Sequence, residues 1–199
     1  MELVLATGNE GKKVELIRLL SGLDITITSL SDYPEIPEIV EDGDTFELNA
    51  FKKAREVLKA TGKWVLADDS GLVVDALGGA PGVRSARYAG NQGDYKGNNE
   101  KLLREMKDIS DEKRQARFVC FMALVAPDGR EWKAKGCCEG QIARDYAGNE
   151  GFGFDPLFFI PEKGKTMAEL EMDEKNEISH RGRALQKITK ILVELCREN

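Results

Sequence analysis

The sequence predicts an α/β fold in which a mixed, long-stranded β-sheet is flanked by helices. Three observations support this prediction. Short apolar segments of strand periodicity are interspersed with segments of helical periodicity. Two of the strand candidates are long and joined by a turn. Strands and helices do not alternate strictly, so a mixed sheet is expected rather than a wholly parallel one. The 199 residues fit a single domain, residues 1–199, with room for two lobes.

The first elements are a strand and a helix. Residues 3–6 are apolar and predict a buried strand, which leads into a polar loop. Helical periodicity follows, and Gly22 is expected to end that helix. The inner face of the helix is expected to hold Val14, Leu16, Ile17, Leu19 and Leu20.

A second strand and a second helix come next. Residues 25–28 alternate as a strand does, whereas the proline-rich acidic segment 33–44 is expected to be a loop. Asp44 or Thr45 can cap the following helix, and Gly62 can close it.

The middle of the chain is expected to carry short strands and one more helix. Residues 64–67 predict a buried strand that ends at an acidic turn, residues 68–71. Residues 72–75 predict another strand, and the glycine-rich segment 78–82 a constrained loop. A helix is expected at residues 99–106.

The last third contains the longest strand candidates. Residues 117–126 and 131–140 are expected to form a hairpin, because the segment 127–130 has suitable turn residues. Residues 157–160 predict a further strand. A long amphipathic helix after Ser179 is expected to end the fold.

Charge and hydropathy exclude two classes of partner. The net charge of −6 argues against a nucleic acid polymer, because binding one requires a basic surface. A small phosphate ligand held by a few local lysines and arginines remains compatible with it. No apolar run is long enough to cross a bilayer, and the first residues lack the basic segment of a signal peptide. We therefore expect a cytoplasmic protein without a membrane partner.

The side chains available to a metal restrict its identity. The sequence has one histidine, His180, and four cysteines that include no C-x-x-C pair. The cysteines are expected to be reduced thiols and not a zinc site. Any metal would then be held by carboxylates and water, which favours Mg²⁺, with Mn²⁺ as a possible substitute.

A first candidate site is the loop between the first strand and the first helix, Thr7-Gly8-Asn9-Glu10-Gly11-Lys12. The glycines let the backbone approach a ligand, and the N-terminus of the helix presents free N–H groups to an anion. Lys12 adds a positive charge for a phosphate. An ordinary strand–helix turn explains the segment equally well, and the spacing is not that of a Walker A loop.

The acidic turn Asp68-Asp69-Ser70-Gly71 is a second candidate. If extended geometry continues through it, the two aspartates point to opposite sides. One can then face a metal while its neighbour orients the backbone or reaches a second ligand position. A carboxylate-held Mg²⁺ would neutralise phosphate oxygens and activate water. A turn with solvated carboxylates is the alternative.

Two further groups have possible ligand-binding roles. After the acidic segment, Asn49 and Lys53 are four residues apart and share one helical face, so both could address a phosphate chain or its metal. A capped surface helix explains this group as well. The glycine–aromatic loop, residues 151–156, can offer a flat wall for a base. Lys175 and the pair His180-Arg181 add donors, although His180 alone would suit a surface helix start.

Taken together and in order, these segments closely resemble the inosine triphosphate pyrophosphatase family along essentially the whole chain. The resemblance rests on Ala6-Thr7-Gly8-Asn9 with Lys12, Asn49-Ala50 with Lys53, Ala67-Asp68-Asp69-Ser70-Gly71-Leu72, Gly78-Gly79-Ala80-Pro81-Gly82 with Ser85-Ala86-Arg87, Gly151-Phe152-Gly153-Phe154-Asp155-Pro156, and Ile178-Ser179-His180-Arg181.

The resemblance implies a fold, an activity and an assembly. It implies two lobes with a nucleotide cleft between them, Mg²⁺ dependence and a homodimer. The activity that it implies is hydrolysis of ITP, XTP and their deoxy forms to the monophosphate and pyrophosphate. A related pyrophosphatase of different base preference and a catalytically silent nucleotide-binding module are the alternatives.

The resemblance also implies roles for individual residues. Asp69 would be the catalytic proton acceptor, and Glu41 and Asp69 would bind the metal. The triphosphate would be bound by Thr7, Gly8, Asn9, Glu10, Gly11, Lys12 and Lys53. The rest of the nucleotide would contact Ser70, Phe152, Gly153, Phe154, Asp155, Lys175, His180 and Arg181.

Two positions depart from the family pattern. Many relatives have glutamate where this chain has Leu48, so a helix carboxylate is missing and Glu41 gains weight as a metal ligand. Glu47 is one residue away but on a different helical face. Many relatives have tyrosine at Phe154, where stacking is retained and a hydroxyl contact is lost.

Overall fold

The computed structural model describes residues 1–198, with side chains through residue 195. The helices are α1 (Glu10–Leu20), α2 (Phe46–Thr61), α3 (Tyr95–Glu105), α4 (Met172–Ile178) and α5 (His180–Glu198). The strands are β1 (Glu2–Leu5), β2 (Thr26–Ser29), β3 (Trp64–Val74), β4 (Gln115–Val125), β5 (Glu131–Ile142), β6 (Phe158–Ile160) and β7 (Lys165–Thr166).

The strands form a seven-stranded sheet in the order β2-β1-β3-β4-β5-β6-β7. Strand β1 runs parallel to both β2 and β3, whereas β6 is antiparallel to β5 and β7. Parallel and antiparallel pairs therefore occur together, and the predicted α/β fold with a mixed, long-stranded sheet is confirmed.

The chain forms two compact units. Unit 1 contains Met1–Asp69, Cys120–Gly136 and the C-terminal segment from Arg181. Unit 2 contains Ser70–Val119 and Cys137–His180. Within β3, Asp69 is thus the last residue of a unit 1 segment and Ser70 the first residue of unit 2.

The core of unit 1 covers both faces of β1. Leu3 and Leu5 pack in one apolar cluster with residues of α1 and α5. Val4 pairs with Ala54 and its neighbours from α2 in a second cluster. The alternation follows from the two-residue period of a strand. Because both faces of β1 are buried, residues 3–6 read as a continuous apolar run.

Unit 2 has its own aromatic core. Leu72 and Val74 of β3 are fully buried there, together with Leu157 and other apolar side chains. The rings of Phe118 and Phe158 lie with their centroids 4.4 Å apart at its centre. Aromatic pairs at this separation add to the stabilisation from burial alone.

The observed ends of α2 confirm the predicted capping. The Thr45 side chain accepts a hydrogen bond from the Leu48 N–H, and Gly62 closes the helix in the left-handed conformation. In α3 the prediction was wrong by four residues, because Asp94 caps the helix by accepting from the Gly97 N–H and starts it at Tyr95. The missed signal was the N-cap aspartate.

The inner face predicted for α1 was partly wrong. Leu16 and Leu20 are buried, but Val14 and Ile17 are exposed. Glu15 occupies the buried face instead. An ion pair satisfies that carboxylate, as described below, so an apolar pattern could not reveal it.

Two further features concern the cysteines and the lengths of the helices. Cys120 is a buried free thiol, whereas the side chain of Cys196 lies outside the described residues. In the described part of the chain, none of the helices has the length and hydropathy to cross a bilayer.

Arg114 connects several backbone segments of unit 2. Its guanidinium, which is buried, donates to the carbonyls of Met106 and Ile109 and to those of Ile142 and Ala143. We expect Arg114→Met to lower the free energy of unfolding by about 3 kcal/mol, because buried carbonyls lose their donors. Urea unfolding would measure this loss, with the exposed Arg104→Met as the control. Equal stability of the two variants would contradict the expectation.

Candidate active site

Asp68 and Asp69 lie within the continuous strand β3. The prediction of a turn at residues 68–71 was therefore wrong. A buried polar partner exists for each carboxylate, so the strand can continue through two charged positions. Because extended geometry persists, the two side chains point to opposite faces of the sheet, as the alternating period requires.

Asp68 belongs to a buried network of charges. Its Oδ2 atom lies 2.9 Å from Lys12 Nζ and 3.7 Å from Arg181 Nε. The carboxylate is 1% exposed. Burial opposes its ionisation, but the charges of Lys12 and Arg181 outweigh that effect and hold the pKa of Asp68 well below its usual value. Asp68 is therefore ionised and charge-compensated, which makes it a poor proton acceptor.

Lys12 and Arg181 complete this network. Burial disfavours the Lys12 ammonium, but Asp68 and Asp69 more than compensate, and the pKa of Lys12 is raised. Arg181, which is 2% exposed, also forms an ion pair with Glu15 of α1. Two buried carboxylates, those of Glu15 and Asp68, are thus compensated by the buried Arg181 and the half-buried Lys12.

Asp69 has a different environment. Its Oδ2 atom accepts a hydrogen bond of 2.9 Å from Asn49 Nδ2. Asn49 is fully buried, and the Gly43 N–H donates to its Oδ1 atom at 2.8 Å. Burial is the main cause of a raised pKa at Asp69, and the charge of Glu41 adds to it, against the opposing effect of Lys53 and Lys12. Asp69 is therefore the more basic of the two neighbouring carboxylates.

Lys53 links strand β3 to the acidic loop. Its ammonium donates to the Asp68 carbonyl at 2.6 Å and to Glu41 Oε1. Lys53 is only 8% exposed, so the alternative of a plain surface helix is excluded for the Asn49–Lys53 face of α2. The helical face that Asn49 and Lys53 share is buried in unit 1.

The carboxylates of Asp69 and Glu41 suit a hard cation. Both offer oxygen ligands, and their charges act on one another across Lys53. Among the described residues there is no cluster of three or more side chains that could hold a metal ion. Mg²⁺ is often bound by only one or two carboxylates, with water and substrate phosphates completing its shell. The donor set therefore fits Mg²⁺ better than a cation that requires a full protein cage.

The departure at Leu48 is consistent with this donor set. Leu48 is 57% exposed. Glu47 is engaged elsewhere, with its Oε1 atom 2.5 Å from Lys133 Nζ. Neither position supplies a carboxylate beside Asp69, which leaves Glu41 as its acidic neighbour.

The loop of residues 7–12 is held by its own side chains. Asn9 caps α1 by accepting a hydrogen bond of 3.0 Å from the Lys12 N–H. Thr7 Oγ1 accepts from the Asn9 N–H at 3.2 Å. Helix α1 begins at Glu10 and continues through Gly11, whereas Gly8 precedes the cap and is exposed. A helix N-terminus with a nearby ammonium group is an arrangement that binds anions.

The glycine–aromatic loop of unit 2 is organised around Asp155. Its Oδ2 atom accepts hydrogen bonds from the Phe152 N–H at 2.9 Å and from Lys175 Nζ at 2.8 Å. The Lys175 ammonium also lies 5.1 Å from the centre of the Phe152 ring. Gly151 has φ 77°, and a Cβ atom there would approach Asp155 Oδ2 to 2.2 Å. The loop therefore depends on glycine at that position.

The other aromatic and imidazole groups are more deeply placed. Phe154 is 4% exposed and meets Tyr88 edge to face. His180 is stacked on Phe118, with ring centroids 4.7 Å apart and planes inclined by 17°. Phe152 is only half-buried, which makes it the more available stacking surface of the two loop phenylalanines.

The structure distributes the residues singled out from the sequence between the units. Unit 1 contains Thr7, Gly8, Asn9, Glu10, Gly11, Lys12, Glu41, Lys53, Asp69 and Arg181, and unit 2 contains Ser70, Phe152, Gly153, Phe154, Asp155, Lys175 and His180. Their roles as catalytic, metal-binding and substrate-binding residues stay predictions. Sequence reasoning missed Glu15, whose three-residue spacing from Lys12 could have indicated a shared helical face.

The fold and the site together define an α/β protein that has carboxylates and lysines grouped at strand β3. A glycine–aromatic loop, residues 151–156, lies in unit 2. Comparison with known proteins gives this class a family. A model of the Ham1 family matches residues 3–191. The chain belongs to the Ham1 family, and the membership predicted from its motifs is confirmed.

Relatives along the whole length support the assignment. A protein from Desulforamulus reducens named dITP/XTP pyrophosphatase is 51% identical over 192 residues, which is 96% of either chain. One of the same name from Rhodopirellula baltica is 51% identical over 199 residues, covering 100% of this chain and 96% of its own.

Solved structures agree. A HAM1 protein from Coxiella burnetii has a TM-score of 0.89 at 42% identity, covering 98% of this chain and 99% of its own. A nucleoside-triphosphatase, also titled dITP/XTP pyrophosphatase, from Mycobacterium abscessus has a TM-score of 0.77 at 47% identity, covering 96% and 100%.

Proposed function

We propose that this chain is a nucleoside triphosphate pyrophosphatase that hydrolyses non-standard purine nucleotides, ITP, dITP, XTP and dXTP, to the monophosphate and pyrophosphate. The reaction removes these nucleotides from the pool used for polymer synthesis. The observation that carries the proposal is the pairing of a basic, buried Asp69 with a compensated Asp68 in a chain half identical to proteins named dITP/XTP pyrophosphatases.

In this proposal Asp69 accepts the proton of a water molecule that attacks the α-phosphorus, and the bond to the pyrophosphate oxygen breaks. A carboxylate whose pKa is raised by burial is suited to this step. Asp69 and Glu41 hold Mg²⁺, for which Mn²⁺ can substitute. When bound, the cation supplies charge neutralisation on the phosphate oxygens and acidifies water. Lys12, Lys53 and the start of α1 bind the triphosphate.

The base is bound by residues 152–155 with Lys175 and His180, and by Arg181. Hypoxanthine and xanthine carry a 6-keto acceptor, whereas adenine carries an amino donor at that position. A site that donates hydrogen bonds to the keto oxygen leaves its donors unpaired with adenine. Discrimination by unpaired polar groups can reach roughly 10⁴-fold.

A substrate panel tests the proposal. Pyrophosphate release should be measured with Mg²⁺ from ITP, dITP, XTP, GTP, ATP, dUTP and modified pyrimidine triphosphates. We expect kcat/KM for ITP and XTP to exceed that for ATP by at least about 100-fold, and chelation of the metal to stop turnover. Preference for a pyrimidine would instead indicate a pyrophosphatase of different specificity. Tight ITP binding without any turnover would indicate a nucleotide-binding module.

The proposal extends to assembly and location. From the family resemblance we extend the proposal to a homodimer in the cytoplasm, without a nucleic acid polymer or a membrane as partner. The net charge of −6 supports the exclusion of a nucleic acid polymer. Light scattering of the purified protein would give twice the mass of one chain, and a monomer at all concentrations would contradict this part of the proposal.

A further inference from the structure

Helix α3 contacts the glycine–aromatic loop through two side chains of one face. Asn99 donates a hydrogen bond of 2.8 Å from Nδ2 to the Gly153 carbonyl. One turn earlier, the Tyr95 ring lies 6.1 Å from the Phe152 ring, with planes inclined by 38°. Residues four apart lie above one another on a helix, so both contacts come from the same surface of α3.

The stability of the fold does not by itself explain an asparagine at position 99. It is 4% exposed, and its Oδ1 atom has no hydrogen-bond partner in the described part of the chain. A buried acceptor without a donor opposes folding. An apolar side chain of similar size would avoid that penalty but would lose the bond to Gly153.

The bond from Asn99 holds the loop at a glycine of left-handed conformation. Gly153 has φ 65°, in the region that glycine adopts readily. On one side of it, Asp155 fixes the Phe152 N–H. Asn99 fixes the carbonyl of Gly153 itself, so the loop is held on both sides of the half-buried Phe152 ring.

We propose that helix α3 positions the glycine–aromatic loop for base binding, with Asn99 as the positioning residue and Tyr95 as the support of the Phe152 ring. The inference rests on the proposed function, because it assigns a partner to the surface on which the purine stacks. Without the bond, the loop populates its binding-competent conformation only in part. The apparent affinity for the nucleotide then falls by that fraction.

Two variants of Asn99 test the inference. Asn99→Leu removes both amide atoms, and Asn99→Asp removes only the donor. We expect each to raise KM for ITP about tenfold while kcat changes less than about twofold, since the base platform contributes equally to ground-state and transition-state binding. Asn99→Leu should unfold thermally at or above the wild-type temperature, because the unpaired acceptor is gone. Glu100→Gln, on the solvent side of α3, should leave all values unchanged.

A base-free probe separates positioning from general damage. Inorganic tripolyphosphate carries the phosphates but no base, so its inhibition constant should be the same in Asn99→Leu and wild type, whereas IMP should bind more weakly to the variant. Tyr95→Phe should retain wild-type KM, and Tyr95→Ala should raise it. The inference is overturned if KM for ITP stays within twofold in Asn99→Leu, or if tripolyphosphate inhibition weakens as much as IMP binding. Failure of the proposed function is distinguishable, because wild-type protein would then turn over neither ITP nor XTP.

Discussion

Asp69→Asn is expected to retain the fold and to lower kcat for ITP by roughly 10²–10⁴-fold, the contribution typical of a general base. The amide is nearly the size of the carboxyl group, and its Oδ1 atom can still accept from Asn49 Nδ2. It cannot take a proton from water, and it is a weaker ligand for a hard cation. Steady-state kinetics over a range of Mg²⁺ concentrations would measure both losses.

The neighbouring aspartate provides the contrast. Asp68→Asn would leave the buried Arg181 and the half-buried Lys12 with less negative charge around them, so we expect reduced stability together with reduced activity. Asp75→Asn, at an exposed position paired with Arg117, serves as the control and should behave as wild type. Wild-type kcat in a folded Asp69→Asn protein would remove Asp69 from the catalytic role.

Glu15→Gln is expected to lower the free energy of unfolding by about 3–5 kcal/mol, the loss typical of breaking a buried ion pair. Both side chains of the Glu15–Arg181 pair are 2% exposed, so water cannot replace the missing partner. Arg181 would keep Asp68, at 3.7 Å, as an anionic neighbour. Urea denaturation followed by circular dichroism would measure the change.

A double-mutant cycle of Glu15→Met, Arg181→Met and the double variant separates the pair from its surroundings. Replacing Glu15 and Arg181 together by methionine removes both charges, and we expect it to recover part of the stability lost in Glu15→Gln. Glu56→Gln, at an exposed position of α2, should change stability by less than about 0.5 kcal/mol. A Glu15→Gln protein as stable as that control would show that the buried pair contributes little.

Local residue patterns were sufficient to predict most of the fold. The capping residues predicted for helix α2, Thr45 and Gly62, are the observed ones, because a helix cap depends on a few neighbouring residues of the chain. Strand β1 reads as buried because both of its faces are covered. Two of the wrong predictions share one cause: the turn at residues 68–71 and the apolar inner face of α1 were both inferred from polarity. Partners distant in sequence, Lys12 and Arg181, make charged side chains acceptable at those positions.

For the candidate site, the sequence by itself determined the family, the carboxylate-rich donor set and the candidate residues, because these depend on which residue types occur and in what order. Only the tertiary structure decided that the charge of Asp68 is compensated by nearby cations and that the pKa of Asp69 is raised. The reason is physical: a pKa depends on burial and on charges brought close in space, and Asn49, Lys53 and Glu41 reach Asp69 from other segments of the chain. The support of the glycine–aromatic loop by Asn99, 54 residues away in sequence, is likewise a product of folding alone.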